Sequence, residues 1–425
     1  MAEKLKILMM GGRRVGKTSI LASLVKSMLN KEINDLLHIE DKTVLMPGQE
    51  SLEEKVENLK KSISQLRYKT FLVDDSRTNA FTTHNLEFNI PGTSSKMAME
   101  FKDANGEFYE SKSSYDTHGG APVSKAQIVE AVKEADVYVI AIDTTYLMEA
   151  VNPHNELCNE SVNMAYNHVG DIHSYLTNID DKEGADAKLV LFVPIKCEKW
   201  AHSGQIDKVT ARVKEVYKKV FVALSNYKNV KVDIIPVETV GAIEFEEHRE
   251  AYICSTPQYT ARKCCVLEDE ELLRFGNGEL RPIKSDDIIN EDPEARISEF
   301  HSIIRPYSWF HVTSDKYSPA NCEQLAFYIL QFVLAKYLFI KQIEEQKKAE
   351  KNSGKSFWRL VRTAIIAYFS WPIALVYFVG SKMLEKLGTV SLDELKKLIV
   401  TIESRGLIKK NKDGICNVQE SLLNL

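Results

Sequence analysis

The sequence predicts an α/β fold in which one mostly parallel sheet carries a glycine-rich turn between its first strand and first helix. Three observations lead there. Short apolar runs recur through the first half of the chain, several of them preceded by segments of helical periodicity; the first run passes through that turn directly into a helix; and two strand-like runs are joined by a tight turn. The sum is a six-stranded sheet, five strands parallel and one antiparallel strand at its edge.

Lys6 to Met10 is the first strand, and Ile20, Leu21, Leu24, Val25 and Met28 fall at helical spacing after the turn. Residues 31–75 are mostly charged, with Leu52, Val56, Leu59, Ile63 and Leu66 three or four apart, and read as a helical insertion with no sheet strand. Phe81 to Ile90 and Lys96 to Asp103 form a hairpin about the turn-forming run Pro91-Gly92-Thr93-Ser94-Ser95. Val137 to Ile142, Leu189 to Pro194 and Val230 to Val237 are buried parallel strands. A second insertion spans about 251–319 and carries the hairpin signal Asn277-Gly278; a helix from about Asn321 to Lys351 then closes the first domain, 1–350.

The turn itself is Gly11-Gly12-Arg13-Arg14-Val15-Gly16-Lys17-Thr18, a GxxxxGK[ST] sequence placed between a strand and a helix. Glycines let consecutive backbone N–H groups curl around phosphate oxygens, and the helix N-terminus at Thr18 and Ser19 adds partial positive charge. Lys17 neutralises the outer phosphates and Thr18 offers a hydroxyl to Mg²⁺. The turn resembles the phosphate site of P-loop NTPases, and nucleoside-triphosphate binding is the expectation. A second oxygen for the metal must come from a neighbouring strand end, where Asp103-Ala104-Asn105-Gly106 stands; the Gly106 N–H suits a γ-phosphate whose presence then sets the loop's position.

With the hairpin placed directly before that loop, the chain resembles the small GTPase-like, translation-factor-related P-loop superfamily. The strings Asp103-Ala104-Asn105-Gly106-Glu107-Phe108 and Tyr317-Ser318-Pro319-Ala320-Asn321-Cys322-Glu323-Gln324-Leu325 also resemble bacterial double-GTPase-type proteins of immune or conflict systems. The resemblance implies GTP rather than ATP as the nucleotide, and a base-reading sequence NKxD or TKxD after the fifth strand. Here that place holds Ile195-Lys196-Cys197-Glu198. Lys196 would lay its stem along the base and Glu198 would replace the aspartate, whereas Ile195 departs from the pattern's polar side chain. Glu238-Thr239-Val240-Gly241-Ala242 occupies the position from which a backbone N–H would hold the base oxygen. The resemblance also implies a first-switch threonine closing over the metal, for which Thr78, Thr82 and Thr83 are candidates; Thr78 is favoured because Thr82 and Thr83 read as strand residues.

For hydrolysis, the resemblance puts a glutamine where this chain has Glu107. A carboxylate can orient water but sits unfavourably near an anionic phosphate, and Arg13 and Arg14 either offset that charge or face solvent. Slow turnover, accelerated by a protein partner or by dimerisation, is the expectation. An ATP-driven motor or kinase-like enzyme, and a scaffold that holds nucleotide without turnover, are the alternatives.

A formal charge of −5 gives no global pull toward nucleic acid, so polyanion binding is expected only locally. The seven cysteines are scattered without CxxC pairs, and the start MAEKLKILMM has no long apolar stretch, so a reducing cytoplasm is expected. The second region, 351–390, contains nineteen uncharged residues, Thr363 to Ser381, interrupted by Pro372; membrane contact through 363–381 competes with a buried helical hairpin as its reading. Residues 391–425 resemble a fragment of a winged-helix unit.

Overall fold

A computed structural model describes residues 4–12, 15–29, 34, 38–44, 51–65, 82–89, 96–103, 125–177, 179, 187–227, 229–254, 263–267, 270–274, 280–282, 304–314, 316–326, 328–330 and 332–333. Within them lie β1 (Lys4–Met10), α1 (Lys17–Met28), β2 (Glu40–Asp41), α2 (Leu52–Gln65), β3 (Thr82–Asn89) and β4 (Lys96–Asp103). Next come α3 (Lys125–Glu134), β5 (Val137–Asp143), α4 (Thr144–Glu149), α5 (Glu160–Tyr166), α6 (Val169–Leu176) and β6 (Lys188–Ile195). They are followed by α7 (Glu198–His202), α8 (Ile206–Val216), α9 (Lys218–Ser225), β7 (Val230–Ile234), β8 (Ile243–Cys254), β9 (Lys263–Leu267), β10 (Glu270–Arg274), β11 (Leu280–Pro282) and β12 (Ile304–Val312).

The first sheet has seven strands in the order β2-β3-β4-β1-β5-β6-β7. β4, β1, β5, β6 and β7 run parallel, and β3 pairs antiparallel with β4 from Thr82↔Asp103 to Asn89↔Lys96. All six strands read from the sequence are therefore present, with one correction to their number and order. Glu40–Asp41 adds a seventh strand outside β3, pairing with Glu87 and Leu86, so the antiparallel strand is second from the edge. Two exposed acidic residues carry no apolar alternation, which is why a stretch read as free of strands contributes one.

β5 and β6 are buried along their whole length, which explains their unbroken apolar sequence: each is covered on both faces. Alternation then divides their side chains between two cores. Ile7, Met9, Val139, Leu191 and Val193 face α1 and the helical stretch within 322–333, through Ile20, Leu24, Leu325, Ile329 and Val333. Leu8, Met10, Tyr138, Ile140, Val190 and Phe192 face α3, α6, α8 and α9, through Ile128, Val132, Ile172, Val213 and Phe221. Leu52 and Val56 bury the inner face of α2, the helix expected from their spacing.

From β1 the chain moves to one side of the sheet for β4 and returns to the other for β5. The crevice above the carboxyl end of β1 is thus a topological switch point, where ligands of α/β sheets bind.

A second sheet, ordered β11-β10-β9-β8-β12, is antiparallel throughout. β10 and β11 pair on either side of Asn277-Gly278, which itself lies outside the described residues. Among the described residues no helix is long and apolar enough to cross a membrane. Thr363 to Ser381 and residues 391–425 fall outside them.

Candidate functional site

Gly11 and Gly12 leave the end of β1, and Val15 is buried at the turn back into α1. Gly16 is the N-cap of α1 with φ 106°, a left-handed conformation that favours glycine; a Cβ there would stand 3.0 Å from Ile195 Cδ1. The ammonium of Lys17 folds back over the turn, donating to the carbonyl oxygens of Gly11 at 2.9 Å and Gly12 at 2.7 Å. Burial lowers its pKa to about 8, against the opposing pull of Asp103. The lysine is therefore a desolvated cation held by two neutral acceptors, an arrangement that a phosphate oxygen would satisfy better.

Thr18 Oγ1 donates to Asp103 Oδ2 at 3.0 Å. The two residues are far apart in sequence, and the parallel register Met9↔Asp103 brings the end of β4 level with the end of β1. A hydroxyl and a carboxylate side by side, next to Lys17, form a hard oxygen set of the kind Mg²⁺ takes, so the residues present fit that ion. Ser19 follows Thr18 in the first turn of α1. Arg13, Arg14, Thr78, Gly106 and Glu107 lie outside the described residues.

At the carboxyl end of β6, two loops are stitched together. Lys196 has a left-handed backbone, φ 59°, costing on the order of 1 kcal/mol for a side-chain-bearing residue. Three contacts hold it: its N–H donates to Thr239 Oγ1 at 3.0 Å, its ammonium pairs with Asp143 Oδ2, and that ammonium lies 5.9 Å from the centre of the Phe310 ring. Ile195, the departure noted in the sequence, is fully buried and packs beneath the phosphate turn at Gly16. Glu198, 2% exposed, turns its carboxylate onto the loop after β7: Oε1 accepts from Val240 N at 2.9 Å and from Gly241 N at 3.1 Å. Burial raises its pKa, and the two amides partly counter the rise.

Asp143 is a participant that the sequence reading missed. It caps α4, its Oδ1 accepting from Thr145 N at 3.0 Å and Thr145 Oγ1 at 2.7 Å while Oδ2 takes Lys196. Asn167 supports it, accepting from Asp143 N at 2.7 Å. The signal was available: Asp-Thr-Thr at the end of an apolar strand is a capping sequence at the carboxyl edge of a parallel sheet.

The second sheet is seated on this same end. Thr145 Oγ1 and Ser308 Oγ are 2.8 Å apart, Trp200 stacks on Phe245 with centroids 6.0 Å apart, and Lys199 lies 4.8 Å over Phe245. His202 bridges Glu238 of the loop and Glu244 of β8, and the Glu244 contact is the main cause of its raised pKa.

A strand, a glycine turn closed by its own lysine, and a helix opening on a hydroxyl–carboxylate pair together define a P-loop α/β architecture. No protein-family profile matches the sequence, and no curated protein matches it. Among solved structures, the chain is similar to the Ski7 GTPase-like domain of S. cerevisiae bound to GDP and inorganic phosphate, at 10% identity and a TM-score of 0.32, over 74% of this chain and 72% of that one. The same domain bound to GTP matches at 10% identity and a TM-score of 0.30, with the same coverage. Roco2 RocCORdC of Methanosarcina barkeri bound to GDP matches at 10% identity and a TM-score of 0.20, over 56% of this chain and 44% of that one. Likenesses this slight carry no weight for function.

Proposed function

We propose that the chain is a Mg²⁺-dependent GTP-binding switch of the cytoplasm that hydrolyses GTP slowly to GDP and phosphate and signals to a protein partner. One observation carries the reading: Lys17, buried and curled onto the glycine turn, stands beside the Thr18–Asp103 pair at the switch point of a parallel sheet. The backbone of 11–19 and the Lys17 ammonium bind the phosphates. Thr18 and Asp103 would hold Mg²⁺, with Thr78 from the first switch; when bound, the ion supplies positive charge against the phosphate oxygens.

Guanine over adenine is favoured by the chemistry of the other end. Glu198 supplies an acceptor for a ring N–H, Val240 and Gly241 supply donors for a ring carbonyl, and Lys196 and Thr239 shape the loop between them. Gly106 is assigned to γ-phosphate sensing, Glu107 to the water, and Arg13 to transition-state charge, all from the sequence. Slow turnover follows from a carboxylate at 107 in place of an amide. The two short strings at 103–108 and 317–325 suggest a bacterial immune or conflict setting.

Calorimetry with GTP and ATP in the presence of Mg²⁺ tests the reading. GTP should bind at least tenfold more tightly than ATP, and Lys17→Ala and Thr18→Ala should abolish or cripple binding. Undiminished affinity in both variants would dismiss it, and ATP preference would convert the protein to an ATPase. Phosphate release should be slow for the chain alone.

A further inference from the structure

Glu198 holds two backbone donors at once, and both belong to the loop that the proposed function assigns to the base. We propose that Glu198 is a gate at the base end, its carboxylate standing where a base carbonyl must bind, so that only a base offering a carbonyl beside a ring N–H can displace it and re-engage it. The inference rests on the guanine-nucleotide reading and adds to it how selection occurs.

The chemistry is one of exchange. A ligand acceptor reaches Val240 N and Gly241 N only after Glu198 Oε1 releases them. The carboxylate is 2% exposed, so water is a poor substitute for those donors while the loop stays packed. A 6-oxopurine edge brings the replacement: its carbonyl takes the amides and its neighbouring N–H meets the displaced carboxylate. Adenine has the opposite polarity, an amino donor beside a ring acceptor. It would leave the two amides facing a donor and the carboxylate facing a lone pair. The side chain's length matters, because it must span from the first residue of α7 to consecutive amides in the next loop. Its surroundings also restrain it: Thr239 Oγ1 ties the loops together, and the bridging His202 fixes Glu238 just before the two donors.

Stopped-flow association of ribose-labelled GTP and ATP with the full chain tests the gate. For the wild-type protein, the observed rate with GTP should level off as concentration rises, because release of Glu198 becomes limiting. Glu198→Ala should remove the plateau, speed association about tenfold or more, and cut the GTP-to-ATP preference by about tenfold or more, the scale expected for charge-assisted hydrogen bonds. Glu198→Asp, one methylene shorter, should also lose the plateau but retain part of the preference. A linear concentration dependence in the wild type overturns the gate without recourse to any variant. So does a Glu198→Ala protein that melts lower yet associates at the wild-type rate, since that describes a mere staple between loops. Failure of the parent reading shows differently, as a GTP signal that is absent or insensitive to Lys17→Ala, and it removes the gate as well.

Discussion

Replacing Lys17 with methionine should favour the variant's stability over the wild type's by more near neutral pH than at high pH, while destroying triphosphate binding. In the folded chain burial lowers the lysine's pKa from 10.5 to about 8. Between those values the unfolded chain binds a proton that the folded chain does not, so the stability of the wild type rises with pH across that window and is lowest, on this account, below pH 8. The shift corresponds to roughly 3 kcal/mol at 1.36 kcal/mol per unit, of which about 2 kcal/mol should be expressed between pH 7 and pH 10. Methionine removes the titration. It also leaves the Gly11 and Gly12 carbonyls without the donor, a loss of about 1 kcal/mol each that is independent of pH. The stability difference, variant minus wild type, should therefore fall by about 2 kcal/mol from pH 7 to pH 10, whatever its absolute value. Denaturant unfolding of both proteins at the two pH values measures it, and the other lysines and tyrosines cancel in the difference. A difference that stays constant, or grows with pH, would refute the claim that Lys17 is a desolvated cation.

Thr18→Ala and Asp103→Asn should each weaken GTP binding about tenfold or more with Mg²⁺ present and much less with chelator, and the double variant should lose little beyond either single one; calorimetry in both buffers decides this. Gly241→Ala should cost about 3 kcal/mol, the upper end of the scale of overpacked cores, because Gly241 has φ 69° and a Cβ would lie 1.9 Å from the Ser318 carbonyl oxygen; a drop of under about 1 kcal/mol in denaturant unfolding would contradict the contact. Asp143→Ala should cost about 2 kcal/mol or more through the lost cap of α4 and the abandoned Lys196 ammonium, with Asp143→Asn recovering part of it.

Where the sequence could be read, a strong local pattern coincided with burial on both faces. β5 and β6 are continuous apolar runs because helices cover each side, and the turn at 11–18 declares itself by glycine, lysine and threonine in fixed order. The meeting of Thr18 with Asp103 was legible as well, since a strand end after a hairpin is carried beside β1 by parallel pairing. β2 was not legible, because its two acidic residues are recruited by backbone pairing with β3 and no side-chain pattern records that. Nor could the sequence show which way Glu198 turns. Its partners are main-chain amides of Val240 and Gly241, and any residues there would offer the same N–H groups. Asp143 differs again: its capping sequence after β5 lies between the phosphate turn and the loop after β6, and only the folded sheet brings its carboxylate to Lys196.

The seating of the second sheet on the loops after β6 and β7 has a mechanical consequence. Phe245 and Phe310 belong to the same apolar cluster as Phe192 and Ile142, so the root of that sheet has no slack against the strands beneath it. Close-packed interiors resist compression, and a displacement of about 1 Å at residues 195–202 cannot be absorbed locally. A shift there would be passed on to β8 and β12, and their far ends would enlarge it as a gauge needle enlarges the turn of its spindle.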